Sequence, residues 1–158
     1  MDALVAAIPN TGAAPARGGL MRSAFRSIAA VVAGFIAASI VMMIIEGING
    51  RVLYPELAKA AEGVTDRETI RALLATAPLG AFLVVIVGWI LGGVAGGWTT
   101  ARLAGHATTG HGLVLGALLT LAGVANNLMV PPPLWFWIAS LVVLMPAAFV
   151  GARLAPAR

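Results

Sequence analysis

The sequence predicts an all-α polytopic membrane protein built as a four-transmembrane-helix bundle. Three observations lead there. Four apolar runs are each long enough to cross a bilayer, charge is scarce, and most cations gather on one side of those runs. Of the 158 residues, 60% are hydrophobic and 10% are charged, where a soluble domain carries about 25% charged residues. Too little polar surface remains to hide such runs from water, whereas lipid covers them without cost.

A membrane helix needs about 20 apolar residues, at about 1.5 Å rise each, to cross about 30 Å of hydrocarbon. Spans are expected at about 28–48, 78–100, 113–130 and 134–151. The first is interrupted only by Ser39, Glu46 and glycines, and the second carries no charge. Unpaired backbone groups are too costly in lipid for these segments to be anything but helix or closed barrel. No run alternates polar and apolar residues, so the barrel is excluded. Pro146, inside the fourth span, has no N–H to give Val142 and should kink the helix or loosen its preceding turn.

Residues 1–27 read as a flexible tail, with Pro9, Asn10, Gly12, Pro15, Gly18 and Gly19 opposing a steady helix before Leu20. Arg22 and Arg26 ahead of an apolar run resemble the opening of a signal peptide. The run from Ile28 to Ile45 exceeds the roughly 7–15 residues of such a segment, so the first helix is expected to be retained. Residues 152–158 form a second short tail.

Positive charge sets orientation. Arg17, Arg22, Arg26, Arg102, Arg153 and Arg158 fall on one side with only Asp2 against them. On the other side Arg51, Lys59, Arg67 and Arg71 are offset by Glu56, Glu62, Asp66 and Glu68. Both termini are therefore expected in the cytoplasm. The Ala/Gly-rich style suggests a bacterial chain, multi-pass in the cell inner membrane.

The longer external loop, 49–77, has helical signals of its own. Pro55 suits a first helical turn leading to a stop near Gly63. Thr65, with Glu68 three residues on, suggests a capping box for a second segment striped by Ile70, Leu73, Leu74 and Ala77. That segment either lies on the membrane surface or extends the second span. The other external link is Pro131-Pro132-Pro133, which cannot continue a helix and makes spans three and four a tight hairpin. Trp135 and Trp137 follow where an interfacial belt is expected, Tyr54 sits at the same surface, and Trp98 falls near the opposite one.

A parallel duplication of a two-helix unit is one reading of two weak internal alignments. An offset of 78 aligns Gly34 with Gly112, Ala38 with Gly116, Asn49 with Asn127 and Pro55 with Pro133. An offset of 51 aligns the sequence from Ala101 to Ala104 with that from Ala152 to Ala155. Ala/Gly/Leu-rich sequence also produces such matches by accident.

Helix packing should run through small residues. Gly88, Gly92 and Gly96 recur every four residues in span two, beside Gly93 and Gly97, while Gly34 and Gly116 serve spans one and three. Such rows admit close backbone approach. They serve either the bundle's interior or contact with a second copy or another membrane subunit.

Glu46 carries the most information. With Asn49, Asn126 and Asn127 it is expected at similar depth near the outer ends of spans one and three. Polar groups at membrane depth are costly and mark sites or structural pairings. Three readings stand: a hydrogen-bonded clasp between spans one and three, a site for a cation, lipid head group or proton-linked solute, and a carboxylate reaching interface water. Arg51 is its sequence-local candidate partner.

No catalytic, cofactor-binding or metal-ligating residue is expected. Cysteine is absent, and His106 and His111 stand in a short loop with no carboxylate beside them. Nucleotide-binding, serine-hydrolase and zinc-protease motifs are missing. No basic surface suits nucleic acid. The expected function is a non-catalytic membrane subunit or scaffold, contacting lipids and another membrane protein or further copies of itself. The alternative is a small oligomeric transporter or channel using the polar cluster around Glu46.

Overall fold

The computed structural model describes residues 17–106 and 108–156, leaving the 1–16 tail and Arg158 outside the described residues. The elements in order are α1 (Arg17–Ile48), a π-helical turn (Asn49–Leu53), α2 (Pro55–Ala61), α3 (Arg67–Thr76), α4 (Leu79–Ala104), α5 (Thr108–Met129) and α6 (Leu134–Leu154). Four segments, Met21–Leu53, Leu79–Ala104, Thr108–Met129 and Leu134–Leu154, are long and apolar enough to cross a membrane. The chain is thus an all-helical, polytopic membrane protein with its spans in the expected order.

The helices overrun the expected spans. α1 begins at Arg17 rather than near Ile28, α4 runs on to Ala104, and α5 starts at Thr108, so His111 is helical and not in a loop. Hydropathy marks the hydrocarbon, but backbone hydrogen bonding continues past it until something stops it. At α4 the stop is Gly105, whose φ of 69° is the left-handed cap that glycine adopts without strain. Its N–H donates to the Ala101 carbonyl (3.2 Å), and Arg26 Nε donates to the Leu103 carbonyl (2.9 Å). That places a fixed cation on the negative end of α4.

α4 is the central helix, packing extensively on α1 and α6 and less on α5, whereas α1 and α5 touch sparingly. The glycine rows explain this. Side chains at Gly88, Gly92 and Gly96 would strike Ile45, Met42 and Gly34 of α1, and at Gly93 and Gly97 would strike Ala147 and Ala148 of α6. Gly34 sits against Thr100 and Gly96, and Gly116 against Met145 and Ala148. All five expected packing glycines are therefore spent between helices of one chain. The core gathers Val31, Ala38, Trp89, Leu115, Leu119, Leu144 and Ala148. α6 continues as helix through Pro146, which is exposed beside an exposed Val142.

At the loop end, the Pro131–Pro133 link forms the hairpin between α5 and α6. α2 starts on Pro55 and its chain leaves through Gly63 at φ 73°. α3 is a separate helix, ended at Ala77 ahead of Pro78, and not an extension of α4. Its cap is Asp66, not Thr65. The Asp66 carboxylate accepts from the Thr69 N–H (2.8 Å) and hydroxyl (2.7 Å), which holds its pKa below the ordinary 3.8. A carboxylate makes charge-assisted bonds that a threonine hydroxyl cannot match. Glu68 pairs with Arg71 (3.3 Å) instead of closing a box.

Candidate functional site

Glu46 lies level with Gly88 and Trp89 of α4. Its neighbour Ile45 lies against Gly88, and its Oε1 accepts from Trp89 Nε1 at 2.9 Å. Trp89 is ten residues beyond Leu79, about 15 Å along the α4 axis. The carboxylate thus stands level with the middle third of α4, because α1 is long and continues outward through the π turn. Trp89 is 5% exposed, and a buried indole N–H needs an acceptor. In return Glu46 receives one fixed donor. The rest of its side chain is exposed at the protein surface.

The π turn carries the next residue. Tyr54 N–H donates to the Asn49 carbonyl (2.8 Å), closing the wider turn. Within it Asn49 is buried, and its Nδ2 donates to the Ala81 carbonyl of α4 (3.0 Å). Such turns inside α-helices are frequent at functional sites. On α5, Asn127 is fully buried and donates through Nδ2 to Ser140 Oγ (3.2 Å), while Ser140 gives its own proton to the Trp137 carbonyl (3.3 Å). Both amide orientations follow from these partners. Ala81 offers only a carbonyl, and the Ser140 hydroxyl has spent its hydrogen. The Oδ1 atoms of Asn49 and Asn127 are left buried without a partner.

The four expected polar residues therefore converge, but not as a clasp. No hydrogen bond joins Glu46 or Asn49 to Asn126 or Asn127; Glu46 and Asn49 bind α4, and Asn127 binds α6. The gap between α1 and α5 stays open as two cavities that share Glu46 and Asn126 in their walls. One, of about 250 Å³, is a groove between the two helices, lined by Phe35, Met42, Met43, Leu119 and Ala122 and backed by Trp89 and Leu144. The other, of about 280 Å³, is a chamber nearer the loop end. Asn49, Asn127, Phe82 and Phe136 line it, and Leu57, Leu74 and Ala77 of the loop segment border it. Together they reach the size of a small-molecule site.

Arg51 does not pair with Glu46. It lies along Met43, Ile44, Gly47 and Ile48 on another face, and the ion pairs among the described residues are Lys59–Glu56 and Arg71–Glu68. Trp89 escaped the sequence reading. A lone tryptophan in mid-span whose N–H needed an acceptor, with one carboxylate at depth, was the available signal. At the opposite end His106 Nδ1 lies 2.8 Å from the Ala104 carbonyl, and its ring meets His111 edge-on at 5.1 Å between centroids.

The chain matches no protein-family model, no curated protein and no solved structure. The fold defines its class as an all-helical membrane protein with four helices long and apolar enough to span a membrane, and with cavities beside Glu46.

Proposed function

We propose that this chain is a non-catalytic membrane subunit whose working surface is the Glu46 cleft. One observation carries the reading: a carboxylate at the depth of mid-α4 has a single hydrogen bond, from Trp89, and otherwise faces an open groove. A charge so placed costs about 2.5–3.5 kcal/mol on insertion scales, and a ligand or partner group seated at Glu46 offsets that cost. The glycine rows, consumed internally, give no support to an assembly built on them. The charge distribution supports cytoplasmic termini in a bacterial inner membrane, with the chamber near the external face.

The test is the intact mass and composition of the particle isolated in native lipid at natural abundance, for wild type and Glu46→Gln. The reading expects a bound protein or small molecule that the substitution removes. A bare monomer, identical in both, refutes it.

Transport is the second reading. What favours it is that groove and chamber share Glu46 and Asn126 in their walls, which sets a carboxylate and an amide between two largely apolar cavities along the bundle. Liposome flux that is absent, or indifferent to Glu46→Gln, across a broad ion and solute panel counts against transport.

A further inference from the structure

The end of the bundle opposite the Glu46 cleft holds a second gathering of polar side chains. Arg22 and Arg26 stand one turn apart on α1, so both guanidinium groups fall on one face of it. With Ser23, and with His106 from the link between α4 and α5, they line a cavity of about 400 Å³ that Gly19 and Phe25 complete. Two of these groups are held in place. Arg26 Nε donates to the Leu103 carbonyl (2.9 Å), and its guanidinium lies so close over Gly105 that a side chain there would strike Nη2. His106 has Nδ1 2.8 Å from the Ala104 carbonyl and Nε2 3.5 Å from the Ser27 hydroxyl. Arg26 has spent only its Nε proton, so its Nη protons stay available.

No side chain nearby neutralises these cations. The acidic residues among the described residues begin at Glu46, twenty residues beyond Arg26 on α1 and about 30 Å away. Exposed charges act over only about 8 Å at physiological salt. The C-terminal end of α4 contributes about half a negative charge, against two full positive ones. Arg102 and Arg153 stand at the same end, over the rings of Trp98 and Phe149, and add to the positive field. The cavity therefore favours an anion. Guanidinium groups meet phosphate oxygens in paired, planar hydrogen bonds, and Ser23 adds a hydroxyl donor. Position narrows the source. The cavity lies at the Met21 end of the first membrane-long helix. Met21, Phe25 and Ile28 form an exposed apolar stripe on the adjoining face of α1, and Phe25 also lines the cavity. A soluble anion gains nothing from that stripe, whereas a lipid sets its phosphate in the cavity and its chains along the stripe.

We propose that this cavity binds the phosphate head of an anionic membrane lipid, with Arg22 and Arg26 pairing its oxygens and its acyl chains lying along Met21, Phe25 and Ile28. A choline lipid brings the same phosphate but sets a trimethylammonium group against the two guanidinium groups, which disfavours it. The lipid site stands apart from the Glu46 cleft, and either can fail without the other.

The experiment is native mass spectrometry of the full chain in phosphatidylcholine nanodiscs titrated with phosphatidylglycerol of the same acyl chains. One phosphatidylglycerol is expected to stay on each chain, selected over phosphatidylcholine on the order of tenfold. Arg22→Gln should weaken that selection about fivefold, the share of one interfacial cation. Among the described residues Arg22 makes no hydrogen bond or ion pair, so this variant keeps the fold even if Arg26→Gln, which loses the bond to Leu103, does not. Arg51→Gln removes an exposed cation from the opposite end of α1 and should change nothing. No preference for phosphatidylglycerol overturns the proposal, as does a preference untouched by Arg22→Gln. An equal loss in Arg51→Gln also overturns it, because net charge and not this cavity would then be acting. Glycerol phosphate that binds the chain in pure phosphatidylcholine discs as tightly as the lipid does, with the same dependence on Arg22, assigns the cavity to a free phosphate and overturns the lipid.

Discussion

Gly97→Ala should unfold the bundle more easily, and the cost can be worked from the α4–α6 contact. A methyl placed there would stand 2.8 Å from the Ala148 carbonyl carbon and 3.0 Å from its Cα, and nearer still to the carbonyl oxygen. Ordinary carbon contacts lie at about 3.5–4.0 Å. The obstacle is backbone, so no side chain can swing aside and the two helices must part by about 1 Å. A gap of that size forfeits a quarter to a half of each local contact's attraction. Overpacking of this kind costs about 1–3 kcal/mol or more, against which alanine's better helix propensity returns about 1 kcal/mol. Because the obstacle is backbone, the upper end of that range applies and a net loss of about 2 kcal/mol is expected. Gly110→Ala is the control, since nothing lies within 4 Å of a methyl there; it should be neutral or slightly stabilising. Reversible unfolding in bicelles, at several protein-to-lipid ratios, measures both. Because Gly97 packs within one chain, the loss should not change with protein concentration, whereas a subunit-interface effect would. A Gly97→Ala protein as stable as wild type, or one whose loss disappears on dilution, refutes the assignment of this row to internal packing.

Three further perturbations test the site and its surroundings. Trp89→Phe removes the one donor to Glu46 and should cost about 1–2 kcal/mol, an effect largely absent when Glu46→Leu is already present; unfolding of the double-mutant cycle measures it. Ser140→Ala strands the Asn127 amide and should cost about 1–2 kcal/mol in the same assay, while adding Asn127→Leu should recover part of that loss. The Asp66 cap should respond to acid. Its pKa is lowered in the folded chain by the two bonds from Thr69, so the stabilisation is complete above the ordinary value of 3.8 and is lost as pH falls through the lower native value. Hydrogen-exchange protection of the Thr69 amide reports it, and the same protection in Asp66→Ala as in wild type would refute the cap.

The sequence carried the site unevenly. Glu46 was visible because a lone carboxylate in an apolar run has no cheap explanation. Asn49, Asn126 and Asn127 followed from helix spacing and alternating direction. Their partners were not visible, since periodicity gives the face of a helix and not the helix opposite. An α1–α5 clasp was the natural expectation for residues at one depth. The glycine rows draw α1 and α6 tightly onto α4 and hold α5 chiefly against α6, so Asn49 meets Ala81, Asn127 meets Ser140, and the cleft remains between α1 and α5. The part of α4 that Glu46 lies against was not legible for a related reason. Hydropathy fixed where α1 becomes apolar but not how far it slides along α4, which Ile45 on Gly88 decides.

What the sequence determined by itself is the class of solution. Four apolar runs with no alternation can cross lipid only as helices, three consecutive prolines must turn the chain, and Pro55 and Gly63 punctuate the loop helix. These are local facts of hydrogen bonding and backbone sterics, and they need no neighbour. What only the tertiary structure decided is which polar groups meet, which keep an unpartnered oxygen, and that two adjacent cavities open beside Glu46. Those outcomes depend on the register of close-packed helices, where a single methyl-sized difference at Gly97 or Gly88 determines how near two backbones approach, and local sequence carries no record of that sum.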